Sequence, residues 1–236
     1  MKDGKAVTEV MGGILILLVM VLTISVLFMY GILVIEETQT SIRMRNMITQ
    51  MVSLHEQMIK VTAGVIPSAV FRIPTSDGNL EIKENSFQLF VNNSTTTLYS
   101  INDTMNKVEY VYGSRTIAIE NGGVWRKDDN SNNSIMVERP KILVSGDAVT
   151  IAFIKVQGSG SAGGRGFSNV KVTLNSSETR VFNTSGYVVI TVNSDYDKAW
   201  MRYFESLNAD VGGNTANITF NRLVISKYIL DVEIWL

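Results

Sequence analysis

The chain has 236 residues and contains no cysteine, which excludes disulfide bonds and any metal site built on thiolates. Its formal net charge is −1 and 18% of its residues are charged, which argues against a nucleic-acid-binding surface and against a polybasic membrane patch. Outside a cell, the stability of such a chain must come from packing, assembly or attached sugar.

The N-terminus carries a long apolar segment. A short charged head precedes it, Glu9 is its single early acid, and no charged residue occurs from Val10 to Ile35. As a helix this run would measure about 39 Å at ~1.5 Å per residue, which exceeds the roughly 30 Å hydrocarbon core of a bilayer. The segment is therefore predicted to lie in lipid or in an equally apolar environment.

Three kinds of segment share this pattern. A secretory signal peptide has an apolar stretch of only about 7 to 15 residues and a small-residue cleavage site, whereas this run is longer and ends in Val34-Ile35-Glu36. A plain transmembrane anchor fits the length but leaves Glu9 as a costly isolated acid. The third kind is clipped after a glycine, and its apolar helix later leaves the membrane to pack against copies of itself.

The string from Gly4 to Gly13, Gly-Lys-Ala-Val-Thr-Glu-Val-Met-Gly-Gly, resembles the processing site of type IV pilins. The very short head before it resembles the archaeal form of this class III signal peptide. The resemblance implies that residues 1–4 are a leader, which a prepilin peptidase removes by cutting between Gly4 and Lys5. Glu9 would then be the fifth mature residue and would pair with the N-terminal amine of a neighbouring subunit, which offsets the cost of its charge in an apolar bundle.

Two further glycines bear on assembly. Gly12 and Gly13 lie early in the apolar run. Small residues let neighbouring helix backbones approach closely within an apolar environment. We therefore expect both to lie at helix–helix contacts between subunits.

An amphipathic pattern follows the apolar run. Apolar residues recur at alternating spacings of three and four, which is typical of one buried helix face; they are Met44, Met47, Met51, Leu54 and Met58. Gly64 and Pro67 are stop signals. One helix is therefore predicted over residues 5–63, with 5–35 as the membrane or filament core and 36–63 amphipathic. We expect the methionine face to pack on the following domain, and a seam between subunits is the alternative.

Residues 67–236 are predicted to form a β-domain. Short β-branched and aromatic runs of period two are separated by turn pairs such as Asp77-Gly78, Asn121-Gly122 and Gly146-Asp147. One helix is predicted inside it, from Asp195 to Leu207, with Asn193 or Ser194 as its N-cap. The predicted fold class is α+β: a long N-terminal hydrophobic α-helix followed by an antiparallel β-sandwich-like domain with one inserted helix.

The β-domain is rich in acceptor sites for N-linked sugar. All Asn-x-Ser/Thr sequons lie beyond residue 90, at Asn92, Asn93, Asn102, Asn132, Asn175, Asn183 and Asn217. Their placement predicts a glycosylated exterior.

Residues that could carry chemistry are few. His55 is the only histidine and is predicted to be a solvated helix residue, so a His-based triad or metal cluster is not expected. Asp128–Asn133 begins like a calcium loop but has Asn133 where the turn needs glycine and Arg139 where the bidentate glutamate belongs. An exposed loop tip is the expected structure there.

Two other patterns have simple structural explanations. The segment from Gly158 to Gly166 lacks the Gly-Lys-Ser/Thr ending of a P-loop and is predicted to be a flexible connector. Asp195 and Asp197 are predicted to be first-turn acids favoured by the helix dipole. We expect no enzyme activity, no cofactor and no metal.

The resemblance thus predicts a structural subunit of an archaeal extracellular type IV adhesion pilus with a membrane-inserted precursor. Its expected partners are copies of itself, the prepilin peptidase, the pilus assembly platform with its ATPase, and the membrane before assembly, but no nucleic acid. One alternative is an archaellum filament subunit, although archaellins usually lack an acid at the Glu9 position. Another is a membrane-anchored surface protein that binds the S-layer.

Overall fold

The structure, a computed structural model, describes residues 3–93, 95–128 and 133–236. The chain begins with helix α1, Asp3–Thr62, and a second helix, α2, covers Asp197–Ser206. The strands, in chain order, are β1 Ser68–Pro74, β2 Asn79–Lys83, β3 Ser86–Asn92, β4 Thr97–Thr104, β5 Lys107–Tyr112, β6 Arg115–Glu120, β7 Gly123–Lys127, β8 Ser134–Glu138, β9 Ile142–Ser145, β10 Ala148–Ser159, β11 Ser161–Gly163, β12 Phe167–Phe182, β13 Gly186–Asn193, β14 Asp210–Gly212, β15 Thr215–Phe220 and β16 Arg222–Trp235.

The predicted α+β class is confirmed. The strands form three sheets, with the orders β1-β12-β16-β10-β9, β11-β2-β5-β6-β7-β8 and β14-β15-β13-β3-β4. Pairing is antiparallel except between β10 and β16, which run parallel from Ala148↔Arg222 to Ser159↔Glu233. The last strand is thus inserted between β12 and β10, and no antiparallel hairpin pattern in the sequence indicates that placement.

Alternating burial along the strands builds the core. Phe87, Leu89 and Val91 of β3 are buried and lie opposite Val192, Ile190 and Val188 of β13. Because successive strand residues point to opposite faces, this alternation directs one face of the sheet inward. Helix α2 closes the core with Trp200, whose ring lies 4.3 Å from that of Trp125.

The predicted turn at Asn121-Gly122 is confirmed and connects β6 to β7. Both residues have positive φ, 45° and 67°, as a two-residue type I′ hairpin turn requires. The Asn121 Oδ1 atom accepts a hydrogen bond of 2.8 Å from the Ile154 amide. The turn is therefore fixed to the neighbouring strand β10.

The prediction of a flexible connector at Gly158–Gly166 is wrong. Its first residues end β10, and β11 within it pairs with β2. A Cβ on Gly158 would lie 2.0 Å from the Val232 carbonyl oxygen, and one on Gly160 would lie 2.6 Å from the Ile234 oxygen. These glycines therefore allow the chain to pass close against β16.

Other element boundaries also differ from prediction. Helix α2 begins at Asp197 rather than Asp195, and its N-cap Tyr196 makes no side-chain capping bond. The strands β9, β11 and β14 were not predicted, because each spans only three or four residues and is too short for a period to be read. The run Ile218–Leu223, predicted as one strand, is divided between β15 and β16.

The chain divides into two compact units, Met1–Asn46 and Met47–Leu236. The first is formed by the apolar part of α1 and the start of its amphipathic part. The second holds the C-terminal part of α1 together with all described strands and α2.

Candidate functional site

An uncovered apolar helix surface is the main candidate site. We call Met11–Ile35 of α1 the apolar surface; the large side chains that the structure describes in it are exposed, as Leu27 at 67% and Phe28 at 69% illustrate. Within the described residues, α1 is the one helix long and apolar enough to cross a membrane, with a mean hydropathy of 2.7 in its most apolar window. About 20 helical residues are enough to cross the hydrocarbon core of a bilayer, and charged residues resume at Glu36. Residues from Glu36 onward therefore lie outside the part of α1 that could cross a membrane.

Two hydroxyl groups within the apolar surface are satisfied by the helix itself. The hydroxyl groups of Thr23 and Ser25 each donate a 2.8 Å hydrogen bond to the carbonyl one turn earlier, on Val19 and Val21. Such back-bonding removes the need for water as a partner. The surface is therefore chemically suited to lipid or to other apolar helices.

Three glycines leave notches in this surface. A Cβ added at Gly12, Gly13 or Gly31 would meet no heavy atom within 4 Å. Gly13 and Gly31 are about five turns apart at 3.6 residues per turn, so they share one helix face. A shallow groove surrounds Gly31 and is lined by Ile24, Leu27, Phe28, Ile32 and Ile35.

The predicted processing and pairing residues lie at the start of α1. The backbone of Gly4, Lys5 and Glu9 is helical, but the side chains of Lys5 and Glu9 are outside the described part of the structure. Cleavage between Gly4 and Lys5 and pairing of Glu9 therefore stay predictions.

The methionine face is buried, as predicted. Its members in the second unit, Met47, Met51, Leu54 and Met58, are at most 2% exposed, and Met44 of the first unit is also buried. Ile59 lies near the β6–β7 turn, so this part of α1 packs on the β-domain. The expectation of core packing is confirmed for the four residues of the second unit.

The prediction of a solvated His55 is wrong. The side chain is only 4% exposed, and its Nε2–H group donates a 2.9 Å hydrogen bond to the Gly122 carbonyl. Burial lowers the pKa of His55 below its ordinary value, and this outweighs the raising effect of the bond to Gly122. Periodicity could not have found this contact, because the two residues are 67 positions apart.

An ion-pair cluster, in which Lys107 and Glu109 are buried and Asp195 is exposed, joins β5 to the segment before α2. The Lys107 Nζ atom lies 2.8 Å from Glu109 Oε1 and 2.7 Å from Asp195 Oδ2, and the Tyr196 hydroxyl donates to Glu109 Oε1 at 2.9 Å. The prediction that Asp195 is a first-turn acid of α2 is therefore wrong, because its carboxylate pairs with Lys107 instead. The same prediction is confirmed for Asp197, which lies in the first turn. The sequence signal that could have indicated this cluster is the pair of charges in the strand Lys107–Tyr112.

The charges of this cluster stabilise one another. Burial lowers the pKa of Lys107, but the carboxylates of Glu109 and Asp195 raise it more, so it lies above its ordinary value. Burial likewise raises the pKa of Glu109, but Lys107 and Lys83 together hold it below its usual range. All members take part in contacts within the β-domain, which is a structural role.

A second buried acid holds α2 in place. The Glu120 carboxylate accepts hydrogen bonds from the Ser194 hydroxyl at 2.7 Å and from the Trp200 indole at 2.8 Å. Burial raises the pKa of Glu120 despite these two bonds. Its role is also to fix the core.

The described residues hold no group of three or more His, Asp or Glu that could bind a metal ion. In the candidate calcium loop, Asp128 forms an ion pair with Arg126 at 2.6 Å. Residues 129–132 of that loop lie outside the described part.

The sequons differ in accessibility. Asn102, Asn175 and Asn183 are exposed, whereas Asn92, Asn93 and Asn217 are half-buried; Asn132 lies outside the described residues. The Asn93 Oδ1 atom accepts bonds from the amides of Thr95 and Thr96, and Asn92 Oδ1 accepts one from Thr97. The Asn217 Oδ1 atom is buried without a hydrogen-bond partner.

We expect sugar on the exposed sequons Asn102 and Asn183, because an attached glycan needs open space around the amide nitrogen. The Asn175 Nδ2 atom instead donates a 2.8 Å hydrogen bond to Asp231 Oδ2. Glycopeptide mass spectrometry of protein from its native surface would check this. Asn183→Gln should lower the native mass by one glycan, whereas the matched Asn217→Gln should leave it unchanged. A native protein with the bare polypeptide mass would contradict glycosylation altogether.

Removing the apolar surface should change solubility without unfolding the rest. A fragment beginning at Glu36 is expected to be folded and soluble, while the full chain needs detergent, because the continuous run of exposed apolar side chains precedes Glu36. Circular dichroism and size-exclusion chromatography of both proteins would measure this. Aggregation of the fragment alongside a detergent-free, soluble full chain would show that the division is wrong.

Comparisons with known proteins give one family and distant relatives. The model of a family described as "Family of unknown function (DUF7289)" matches residues 5–231. Two proteins of Archaeoglobus fulgidus, each called an uncharacterized protein, are 22% and 23% identical to this chain; the alignments cover 98% and 92% of it and 95% and 88% of the relatives. No solved structure matches.

Proposed function

The chain belongs to the family of unknown function DUF7289, and from this premise we propose that it is a structural subunit of an archaeal extracellular filament of the type IV pilus kind. The subunit polymerises through its N-terminal apolar helix. The single observation that carries this proposal is the apolar surface, Met11–Ile35, which no described residue covers.

The apolar surface supports the proposal, because assembly would exchange one apolar environment of the helix, lipid, for another, the helices of neighbouring subunits. Before assembly lipid surrounds it, and in the filament identical helices do so. The notches at Gly13 and Gly31 lie on one face and allow close approach of backbones from neighbouring copies. Contacts of this kind are head-to-tail and do not close, which is the symmetry condition for a filament.

The N-terminal residues support processing. Gly4 and Glu9 have the spacing of a prepilin cleavage site. On this proposal the partners are a prepilin peptidase and an assembly platform with its ATPase, and the β-domain is displayed outside the cell. The archaeal source of the two relatives supports the archaeal type of filament.

The second candidate is a permanently anchored surface protein, which the membrane-length helix alone would also favour. An archaellum subunit is the third, with the same architecture. A plain anchor, however, gives no reason for an acid at position 9.

The test is the mature N-terminus of native protein. Material sheared from cells should sediment as filaments under the electron microscope, and mass spectrometry should find Lys5 as its first residue. Protein that keeps Met1 to Gly4 and stays in the membrane fraction would favour the anchor instead. Loss of swimming rather than of attachment on deletion would favour the archaellum.

A further inference from the structure

His55 occupies an unusual position at the joint between α1 and the β-domain. Its imidazole is buried and donates to the Gly122 carbonyl at 2.9 Å. That carbonyl belongs to the β6–β7 turn, which the bond from the Ile154 amide to Asn121 holds against β10. A Cβ on Gly122 would lie 2.7 Å from Ile154 Cδ1, so the turn has no room to move toward that strand. The imidazole therefore binds a fixed acceptor.

A cavity of about 340 Å³ lies beside the imidazole. It is lined by His55 together with Val52, Glu56, Ile59, Lys60, Glu138 and Lys141. The charged groups that face it are Glu56 and Lys60 from α1, and Glu138 and Lys141 from the end of β8 and the segment after it. The β6–β7 turn contributes the Gly122 carbonyl.

These neighbouring charges do not offset the cost of burying a protonated, charged His55. Glu138 and Glu56 favour the imidazolium, Lys141 opposes it, and the loss of hydration on burial is larger than each of these effects. The hydrogen bond to Gly122 also favours the charged form, but by less than burial opposes it. Because the His55 side chain is only 4% exposed, an imidazolium there is less hydrated than one on a helix that has separated from the turn, and protonation therefore favours separation.

We propose that His55 is a pH-sensitive latch, which strengthens the attachment of residues 47–62 of α1 to the β6–β7 turn when neutral and weakens it when protonated. The inference does not depend on filament assembly, since every group involved lies in the second unit. The latch would make the contact between α1 and the β6–β7 turn weaker in acid.

The direction in which pH changes the stability of the folded protein follows from the lowered pKa of His55. Because the pKa of folded His55 lies below its ordinary value of 6.5, its contribution to stability is fully present above that value and is lost as the pH falls through 6.5 toward the folded pKa. Glu120 has the opposite sign, since its pKa is raised and acid therefore favours the folded form. His55 is the only histidine in the chain, so loss of stability in this range points to it.

Hydrogen exchange of the full chain in detergent micelles tests the latch. Corrected for intrinsic rates, exchange of amides in residues 47–62 should rise between about pH 7.5 and about pH 5, by about tenfold for each unit by which the folded pKa of His55, measured by NMR, lies below 6.5. In His55→Gln, whose neutral amide still donates, exchange should not depend on pH. Amides of α2 serve as the internal control and should keep their protection in both proteins.

A second measurement needs no variant. The single imidazole gives one unambiguous NMR resonance, which should titrate below pH 6.5. Titration at or above 6.5, unchanged exchange of residues 47–62 in acid, or the same pH dependence in His55→Gln would each overturn the latch.

Discussion

Replacing Glu9 by alanine is expected to leave the protein cleaved after Gly4 but largely unable to form filaments. Without Glu9, the mature N-terminal amine would be buried uncompensated among apolar helices, at a cost of several kcal/mol. Since each 1.4 kcal/mol changes an equilibrium about tenfold, sheared filament mass per cell should fall by about tenfold or more. Quantitative immunoblotting of the filament and membrane fractions would measure this.

Glycine at position 4 supplies the matched control for an earlier step. Gly4→Phe should block removal of residues 1–4 and hold the protein in the membrane, because the peptidase needs a small residue at the cut.

A plain anchor predicts the opposite result for Glu9→Ala, since loss of the acid would favour insertion by up to about 3 kcal/mol. Normal filaments from Glu9→Ala would remove the pairing role of Glu9.

Replacing Lys107 by alanine is expected to destabilise the β-domain by about 3 kcal/mol, the lower end of the cost of breaking a buried ion pair, because Lys83 would still contact Glu109. The Lys107 and Glu109 side chains are each 2% exposed, and Lys107 also binds Asp195 at 2.7 Å. The Asp195 side chain is 63% exposed and would return to water, so most of the loss arises at the buried Glu109 carboxylate. Chemical denaturation followed by tryptophan fluorescence would measure the loss, since Trp125 and Trp200 are buried.

The surface pair of Lys171 and Glu233 is the matched control. Their charged atoms are 3.7 Å apart, and the side chains are 44% and 65% exposed. Lys171→Ala should therefore cost about 1 kcal/mol or less. Equal losses in the two variants would contradict the structural importance of the buried cluster.

Acid should weaken the Lys107 cluster in a defined range. The pKa values of Glu109 and Asp195 lie below their ordinary 4.5 and 3.8. Their contribution to stability is thus complete above those values and is lost as the pH falls below them. This range is separate from that of the His55 latch.

Local features of the fold could be predicted because each depends on neighbours in the chain. The long uncharged run from Val10 to Ile35 predicts a helix from its length and composition alone. In β3, the alternation of Phe87, Leu89 and Val91 shows which face of the strand is buried. The Asn121-Gly122 turn follows from the ease with which these two residues adopt positive φ. The candidate assembly surface was recognisable for the same reason, since hydrophobicity and charge are properties of composition.

Distant partners decided the rest. The Lys107–Asp195 pair spans 88 positions, the His55–Gly122 bond spans 67, and Gly158 is required because β16 passes beside it. A polar residue such as His55 has the same local pattern whether it faces water or a carbonyl, because periodicity reports the apolar face of an element and not what packs against its polar residues. The sequence by itself therefore determined the apolar helix, the β-rich domain and the tight turns, whereas the tertiary structure alone decided which polar groups are buried, since burial depends on strands brought together from remote parts of the chain.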